Sequence, residues 1–143
     1  MERPATDPDE PYRTILREAR TVAVVGLSPN PDRPSHRVAR YLQEHGYRIV
    51  PVNPTVGTVL GERSHPNLEA VPDAVDVVEI FRRAEDVPPI VDAAVRVGAR
   101  VVWMQEGVIH DEAAARARAA GLTVVMDRCM LKEHGRLTRT GRL

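Results

Sequence analysis

The stretch Thr21-Val22-Ala23-Val24-Val25-Gly26-Leu27 constrains this chain more than any other. Its apolar residues run without alternation, so a strand formed here must be buried on both faces. Such a strand belongs in the middle of a parallel sheet with helices on each side. Four more short Val- and Ile-rich stretches follow at residues 48–52, 75–81, 100–104 and 122–126. Helical patterns separate most of them. Residues 12–19 predict a short helix. Ser35 is placed to cap a helix with Val38, Tyr41, Leu42 and His45 inward and Gly46 at its end. Residues 53–67 predict a loop, and 68–71 a single helical turn. Asp86 is placed to cap a helix with Pro88 and Pro89 in its first turn and Ile90, Val91, Ala94 and Val97 inward. Asp111 is placed to cap an alanine-rich helix that stops at Gly121, and the tail from Asp127 reads as polar and Arg-rich after Leu131. Strands alternating with helices give α/β units. The expectation is a Rossmann-like, three-layer, doubly wound sheet of five parallel strands in the order 3-2-1-4-5.

The length of 143 residues suits one domain. Residues 1–11 read as a flexible lead-in, 12–137 as the domain and 138–143 as a polar tail. Twenty basic side chains balance twenty acidic ones, which argues against a nucleic-acid partner. No apolar run approaches the ~20 residues of a membrane span, and the proline-rich start has no signal-peptide character. Cys129 is the single cysteine, which fits a reducing cytoplasm. The five histidines show no metal-ligand spacing, so no metal site is expected.

Parallel sheets bind ligands at the carboxyl ends of their strands. That rule selects residues 26–35, 53–57 and 105–107. In the first loop Gly26 allows a tight turn, Ser28 and Ser35 offer hydroxyls, Arg33 offers a forked cation, and the next helix offers its first amides. Together these suit phosphate oxygens. A rigid proline-rich connector would use the same residues. The dinucleotide fingerprint is incomplete: Ser28 and Pro31 stand where its second and third glycines would be. Asn53 ends the second strand where an NAD site places an acidic residue for the ribose.

Six short motifs in register carry a resemblance: Val24-Val25-Gly26-Leu27-Ser28, Arg33-Pro34-Ser35, Val52-Asn53-Pro54, residues 78–83 (V-E-I-F-R-R), Trp103-Met104-Gln105-Glu106-Gly107, and Asp127-Arg128-Cys129-Met130. Over about residues 12–137 the chain resembles the small, single-domain CoA-binding proteins of the YccU-like family. These are similar to the N-terminal CoA-binding domain of the succinyl-CoA synthetase alpha subunit. The resemblance implies a coenzyme A or acyl-CoA ligand. It implies a diphosphate on the loop of Gly26, Leu27, Ser28, Arg33, Pro34 and Ser35, with His36 in the adjoining helical turn. Asn53 and Pro54 would border the adenosine, Phe81 and Arg82 the sheet edge, and Gln105, Glu106 and Gly107 the pantetheine. Relatives often carry a lysine after the Asn-Pro pair, and here that place is Thr55. The 3′-phosphate would then fall to Arg82, Arg83 or the tail. No nucleophile and base stand at a usable spacing, so no catalytic residue is assigned. The expected role is a stand-alone, non-catalytic CoA binder, with a protein partner of unknown kind. The alternatives are a nucleotide-binding regulatory domain and a partner-dependent enzyme acting on CoA thioesters.

Overall fold

The computed structural model describes residues 7–55 and 57–143. Most of the expected lead-in, residues 1–6, therefore lies outside the described residues. The elements in chain order are α1 (Glu10–Glu18), β1 (Thr21–Val25), α2 (Pro34–Glu44), β2 (Arg48–Val52), β3 (Thr58–Val59), β4 (Glu62–Arg63), β5 (Val77–Ile80), α3 (Val87–Arg96), β6 (Val101–Met104), α4 (Asp111–Ala119), β7 (Thr123–Val125) and α5 (Met130–Arg139). A single 3-10 turn covers Leu68–Ala70 and a second precedes α3 at Ala84–Asp86.

β1, β2, β5, β6 and β7 form one parallel sheet, as the five apolar stretches predict. Side chains alternate across it, as the period of two demands. Val22, Val24, Ile49, Val77 and Trp103 face one way and pack beneath α1, α2 and α5. Ala23, Val25, Val78, Ile80, Val102 and Met104 face the other way and pack beneath α3 and α4. Trp103 is fully buried, as a core residue should be. No helix among the described residues is long and apolar enough to cross a membrane.

The strand order corrects the sequence expectation. It is β2-β1-β5-β6-β7, so the third long strand lies beside the first and not outside the second. Two local features explain this. Pro51 lacks an amide to give to a neighbour, and prolines in sheets sit on edge strands. The chain beyond β2 also turns back on itself. β3 and β4 pair as a small hairpin within the expected loop, and His65 then bridges to Val52 in parallel. The His65 amide donates to the Pro51 carbonyl at 3.0 Å, and the Asn53 amide to the His65 carbonyl at 2.9 Å. The carboxyl end of β2's outer edge is thereby occupied, and β5 pairs with the other edge of β1.

Three helix starts and one helix also differ. α2 begins at Pro34 with Arg33 in the capping position, and Ser35 lies inside the first turn. His45, expected inward, is exposed. Asp86 precedes α3 without capping it, because Arg83 holds its carboxylate. His110 rather than Asp111 caps α4, its Nδ1 accepting from the Ala113 amide at 3.1 Å. The polar stretch after Leu131 folds as α5, burying Met130, His134 and Leu137 at helical spacing. Arg136 ties α5 to Asp9 beside the start of α1, and Arg142 reaches Asp7 and Asp9.

The strand ends meet most closely at Gly26. Its amide donates to the Val52 carbonyl at 2.9 Å, while the Phe81 amide donates to the Val25 carbonyl at 2.9 Å. Its φ is +89°, and a Cβ there would stand 2.4 Å from the Phe81 carbonyl oxygen and 3.2 Å from Arg82 Nε. Only glycine fits this junction. The other exception in the core is Glu79, fully buried between Val24 and Trp103 with neither oxygen hydrogen-bonded. Burial pushes its carboxyl up to about 8.

Two outcomes follow from these positions. Gly26→Ala should cost about 2 kcal/mol or more from the left-handed backbone and the carbonyl clash. Its urea-unfolding midpoint should fall accordingly, and a midpoint equal to the parent's would show that the junction yields freely. The Glu79 carboxyl stays protonated in the fold well above the pH at which the unfolded chain ionises it. The folded chain thus binds the extra proton, so its stability declines as pH rises from about 4.5 to about 8. Glu79→Gln should abolish most of that decline, on the order of a few kcal/mol. Denaturant midpoints for parent and variant at both ends of the window measure it; parallel pH curves would refute it.

Candidate functional site

The five parallel strands end along one edge, and their loops follow the sheet order. Asn53 follows β2, Gly26 follows β1, Phe81 and Arg82 follow β5, Gln105 follows β6, and Asp127 comes shortly after β7. Neighbouring strands lie about 4.8 Å apart, so Asn53 and Gln105 stand roughly 14 Å apart along this edge. A cleft of about 1190 Å³ runs across the loops.

Ten of the residues selected from the sequence line this cleft: Gly26, Ser28, Arg33, Pro34, Ser35, Asn53, Phe81, Arg82, Gln105 and Glu106. Four do not. The Leu27 side chain is fully buried in the core, and only its carbonyl serves the loop. His36 turns inward, 8% exposed, with an unpartnered Nδ1. Pro54 opens on a neighbouring hollow of about 340 Å³ lined by Val52, Pro66, Leu68 and Ile90. Gly107 is exposed and gives its amide to Asp127. Arg82 lines both the cleft and the hollow. Thr55 also lines the cleft, as does Val108, which carries no signal in the sequence; so do Cys129, Leu131 and Lys132. The last three come from α5 and its approach, whose helical spacing is blurred by Gly135 and by a histidine on the inner face.

The first loop is braced by its own polar groups. Ser35 Oγ accepts the Ser28 amide at 3.0 Å, Ser28 Oγ accepts the Asn30 amide at 3.1 Å, and Asn30 Oδ1 accepts the Asp32 amide at 2.9 Å. Ser35 is thus a clamp across the loop mouth. Asn53 is a second clamp. Its Nδ2 donates to the Leu27 carbonyl at 3.1 Å, and its Oδ1 accepts from both the amide and hydroxyl of Thr55. A carboxylate could not donate to Leu27, so the amide side chain is what this junction requires.

The charges in the cleft are unequal in their freedom. Arg83 is bound by Glu85 and Asp86, and Lys132 by Glu106 at 3.0 Å. Among the described residues, Arg33, Arg37 and Arg82 line the cleft without an acidic partner; Arg37 gives its Nη1 to the Asp32 carbonyl at 2.6 Å, which leaves Arg33 and Arg82 uncommitted beside Gly26. The N-terminus of α2 lies in the same place and adds partial positive charge. This edge therefore offers two guanidiniums and a helix dipole to an anion.

The far wall is held by four bonds between two loops. Trp103 Nε1 donates to the Arg128 carbonyl at 2.8 Å, and the Arg128 amide to the Met104 carbonyl at 3.3 Å. The Met130 amide donates to Gln105 Oε1 at 3.2 Å, and the Gly107 amide to Asp127 Oδ1 at 2.7 Å. Gln105 is 5% exposed. Asp127 adopts a left-handed backbone at φ 57°, which aspartate tolerates. Among the described residues no three His, Cys, Asp or Glu side chains gather as a metal site would require.

The chain is similar to known proteins over nearly its whole length. It is 38% identical over 122 residues to the uncharacterized protein YneT of Bacillus subtilis, spanning 85% of this chain and 90% of that protein. A hypothetical protein from Pyrococcus horikoshii superposes with a TM-score of 0.90 at 40% identity, covering 96% of this chain and 99% of the other. A dinucleotide-forming acetyl-coenzyme A synthetase 1 from Korarchaeum cryptofilum superposes with a TM-score of 0.67 at 26% identity. There the match covers 73% of this chain but only 25% of the synthetase. The model of the CoA binding domain matches residues 20–135, which include every strand and loop described above, and the chain belongs to the CoA binding domain family.

Proposed function

We propose that this protein binds coenzyme A or an acyl-CoA in the cleft at the carboxyl edge of its sheet. The observation that carries this reading is the pair of unpartnered guanidiniums, Arg33 and Arg82, on either side of Gly26 at the mouth of α2. A diphosphate is the ligand group that such an arrangement favours. Membership of the CoA binding domain family supplies the rest of the ligand.

The cleft is directional, and so is the ligand. The adenosine would lie toward Asn53, with its ring against the apolar hollow beside Pro54. Arg82 spans the cleft and the hollow, so it is the side chain best sited to serve the 3′-phosphate in place of the lysine absent at Thr55. Ser28, Arg33 and the α2 terminus would hold the diphosphate. The pantetheine would pass Gln105 and end between Glu106, Leu131 and Lys132. Leu27, Ser35 and Asn53 shape the loop as buried or hydrogen-bonded supports, and His36 supports α2 from beneath. An NAD ligand is disfavoured because Asn53 is engaged with Leu27 and Thr55 and no acid takes its place for a ribose. The role is that of a binding module without repeated catalytic turnover, since among the described residues no nucleophile and base pair lines the cleft.

Calorimetric titration tests this. CoA and acetyl-CoA should bind more tightly than NAD in the same buffer. Arg33→Ala and Arg82→Ala should each weaken CoA binding about tenfold to a hundredfold, since a charge-assisted hydrogen bond is worth roughly 1.5–3 kcal/mol. Arg33→Lys should recover only part of the loss, because a point charge cannot make the forked contact. Unfolding midpoints should hardly change, both side chains being outside the core. Dephospho-CoA should lose affinity with the parent but little further with Arg82→Ala. Equal or tighter binding of NAD would overturn the reading.

A further inference from the structure

Resting on the CoA thioester reading above, we propose that Lys132 is an acyl acceptor: the ε-amine of the chain's single lysine takes the acyl group from a thioester bound in the cleft, once per protein molecule.

Three observations converge on this residue. Lys132 is the only lysine in the sequence, and it lies in the first turn of α5 with its side chain in the cleft wall. The sheet order assigns the ends of the cleft. The cationic loop residues lie between the β2 end and the β6 end, and the hollow beside Pro54 opens at the β2 side. A ligand with an adenosine at one end and a thioester at the other therefore brings its reacting carbonyl to the β6 side, where Glu106, Leu131 and Lys132 stand. The wall there is also stiff. Gln105 receives the Met130 amide, Asp127 receives the Gly107 amide, and Trp103 donates to Arg128, so the start of α5 is tied to the loop after β6. A nucleophile held beside a bound electrophile reacts at an effective concentration far above that in free solution.

The chemistry balances without a further reagent. The neutral amine attacks the thioester carbonyl carbon and the N–C bond forms. The C–S bond breaks and CoA leaves as its thiolate, which takes up the proton released by nitrogen. Glu106 sets the pace. Its carboxylate lies 3.0 Å from Lys132 Nζ and holds the ammonium form, raising the lysine above its ordinary range. The neutral amine is scarce at pH 7, so the transfer is slow and accelerates with pH. The product amide has no charge to pair with Glu106, so acylation frees that carboxylate at the mouth of the cleft.

The full chain incubated with acetyl-CoA, followed by intact-mass and peptide-mapping mass spectrometry, tests the proposal. The expected result is one acetyl group on Lys132, accumulating faster at about pH 9 than at about pH 7. An excess of desulfo-CoA, which occupies the cleft but carries no thioester, should slow it about tenfold or more. In Lys132→Arg the peptide that spans position 132 should remain unlabelled. Acetyl-CoA binding is measured by calorimetry on the same preparation. Binding without acetylation of Lys132 would overturn this inference alone, and so would acetylation that desulfo-CoA leaves unchanged. A hydroxylamine-labile label on Cys129 with none on Lys132 would overturn it as well. Absence of binding would overturn the CoA reading beneath it.

Discussion

The closure of β2's outer edge by His65 decides the rest of this structure. Once the His65 amide and carbonyl have engaged Pro51 and Asn53, the carboxyl end of β2's outer edge is closed to a further strand. β5 must pair with the other side of β1, and the two parallel ladders diverge from β1 as a result. The loops that follow β1 and β5 are then brought together at Gly26, where the Phe81 carbonyl approaches so closely that no side chain fits. Arg82 is delivered beside the first loop by the same geometry. A strand order with β2 in the interior would have carried Arg82 to the far edge of the sheet.

Polar side chains around the cleft divide into those that are spent and those that are free. Ser35 and Asn53 satisfy backbone groups within their own loops, and Arg83 and Lys132 are matched with carboxylates. Buried or constrained polar groups need such partners, since an unmade hydrogen bond costs more than a made one returns. Arg33 and Arg82 are outside this closed accounting. Neither is committed to a carboxylate, so each would lose little by exchanging water for phosphate oxygens. The same division marks Glu79 as unusual: it is a buried acid without a partner, and burial pushes its carboxyl toward the neutral form.

The wall formed by α5 extends the cleft beyond the strand ends. Arg136 with Asp9, and Arg142 with Asp7 and Asp9, fasten this helix to the region before α1. The bonds from Trp103, Gln105 and Gly107 fasten its start to the β6 loop. A segment that looks like a polar tail is thus the fourth side of the candidate site and contributes its only lysine.

Local composition determined much of this protein. The apolar stretches at β1, β5 and β6 demanded burial on both faces, which only a parallel sheet between helix layers supplies, and the incomplete glycine fingerprint and Asn53 were visible as departures from an NAD site. The loops 26–35, 53–57 and 105–107 followed from the rule that ligands meet the carboxyl ends of strands. Tertiary structure alone decided the strand order, because it depended on a single bridge between residues thirteen positions apart, Val52 and His65. It alone decided which selected residues line the cleft. Leu27 and His36 lie in the same loop and helical turn as Ser28 and Ser35, and their side chains part only because the core claims one face of that loop. It also decided that α5 joins the site, since its inner face is read through Met130, His134 and Leu137, and a histidine there becomes apolar lining only when Tyr41 gives it a partner 2.8 Å away. Pattern in a sequence records how each segment meets water; which segments then meet one another is settled by the packing of the whole chain.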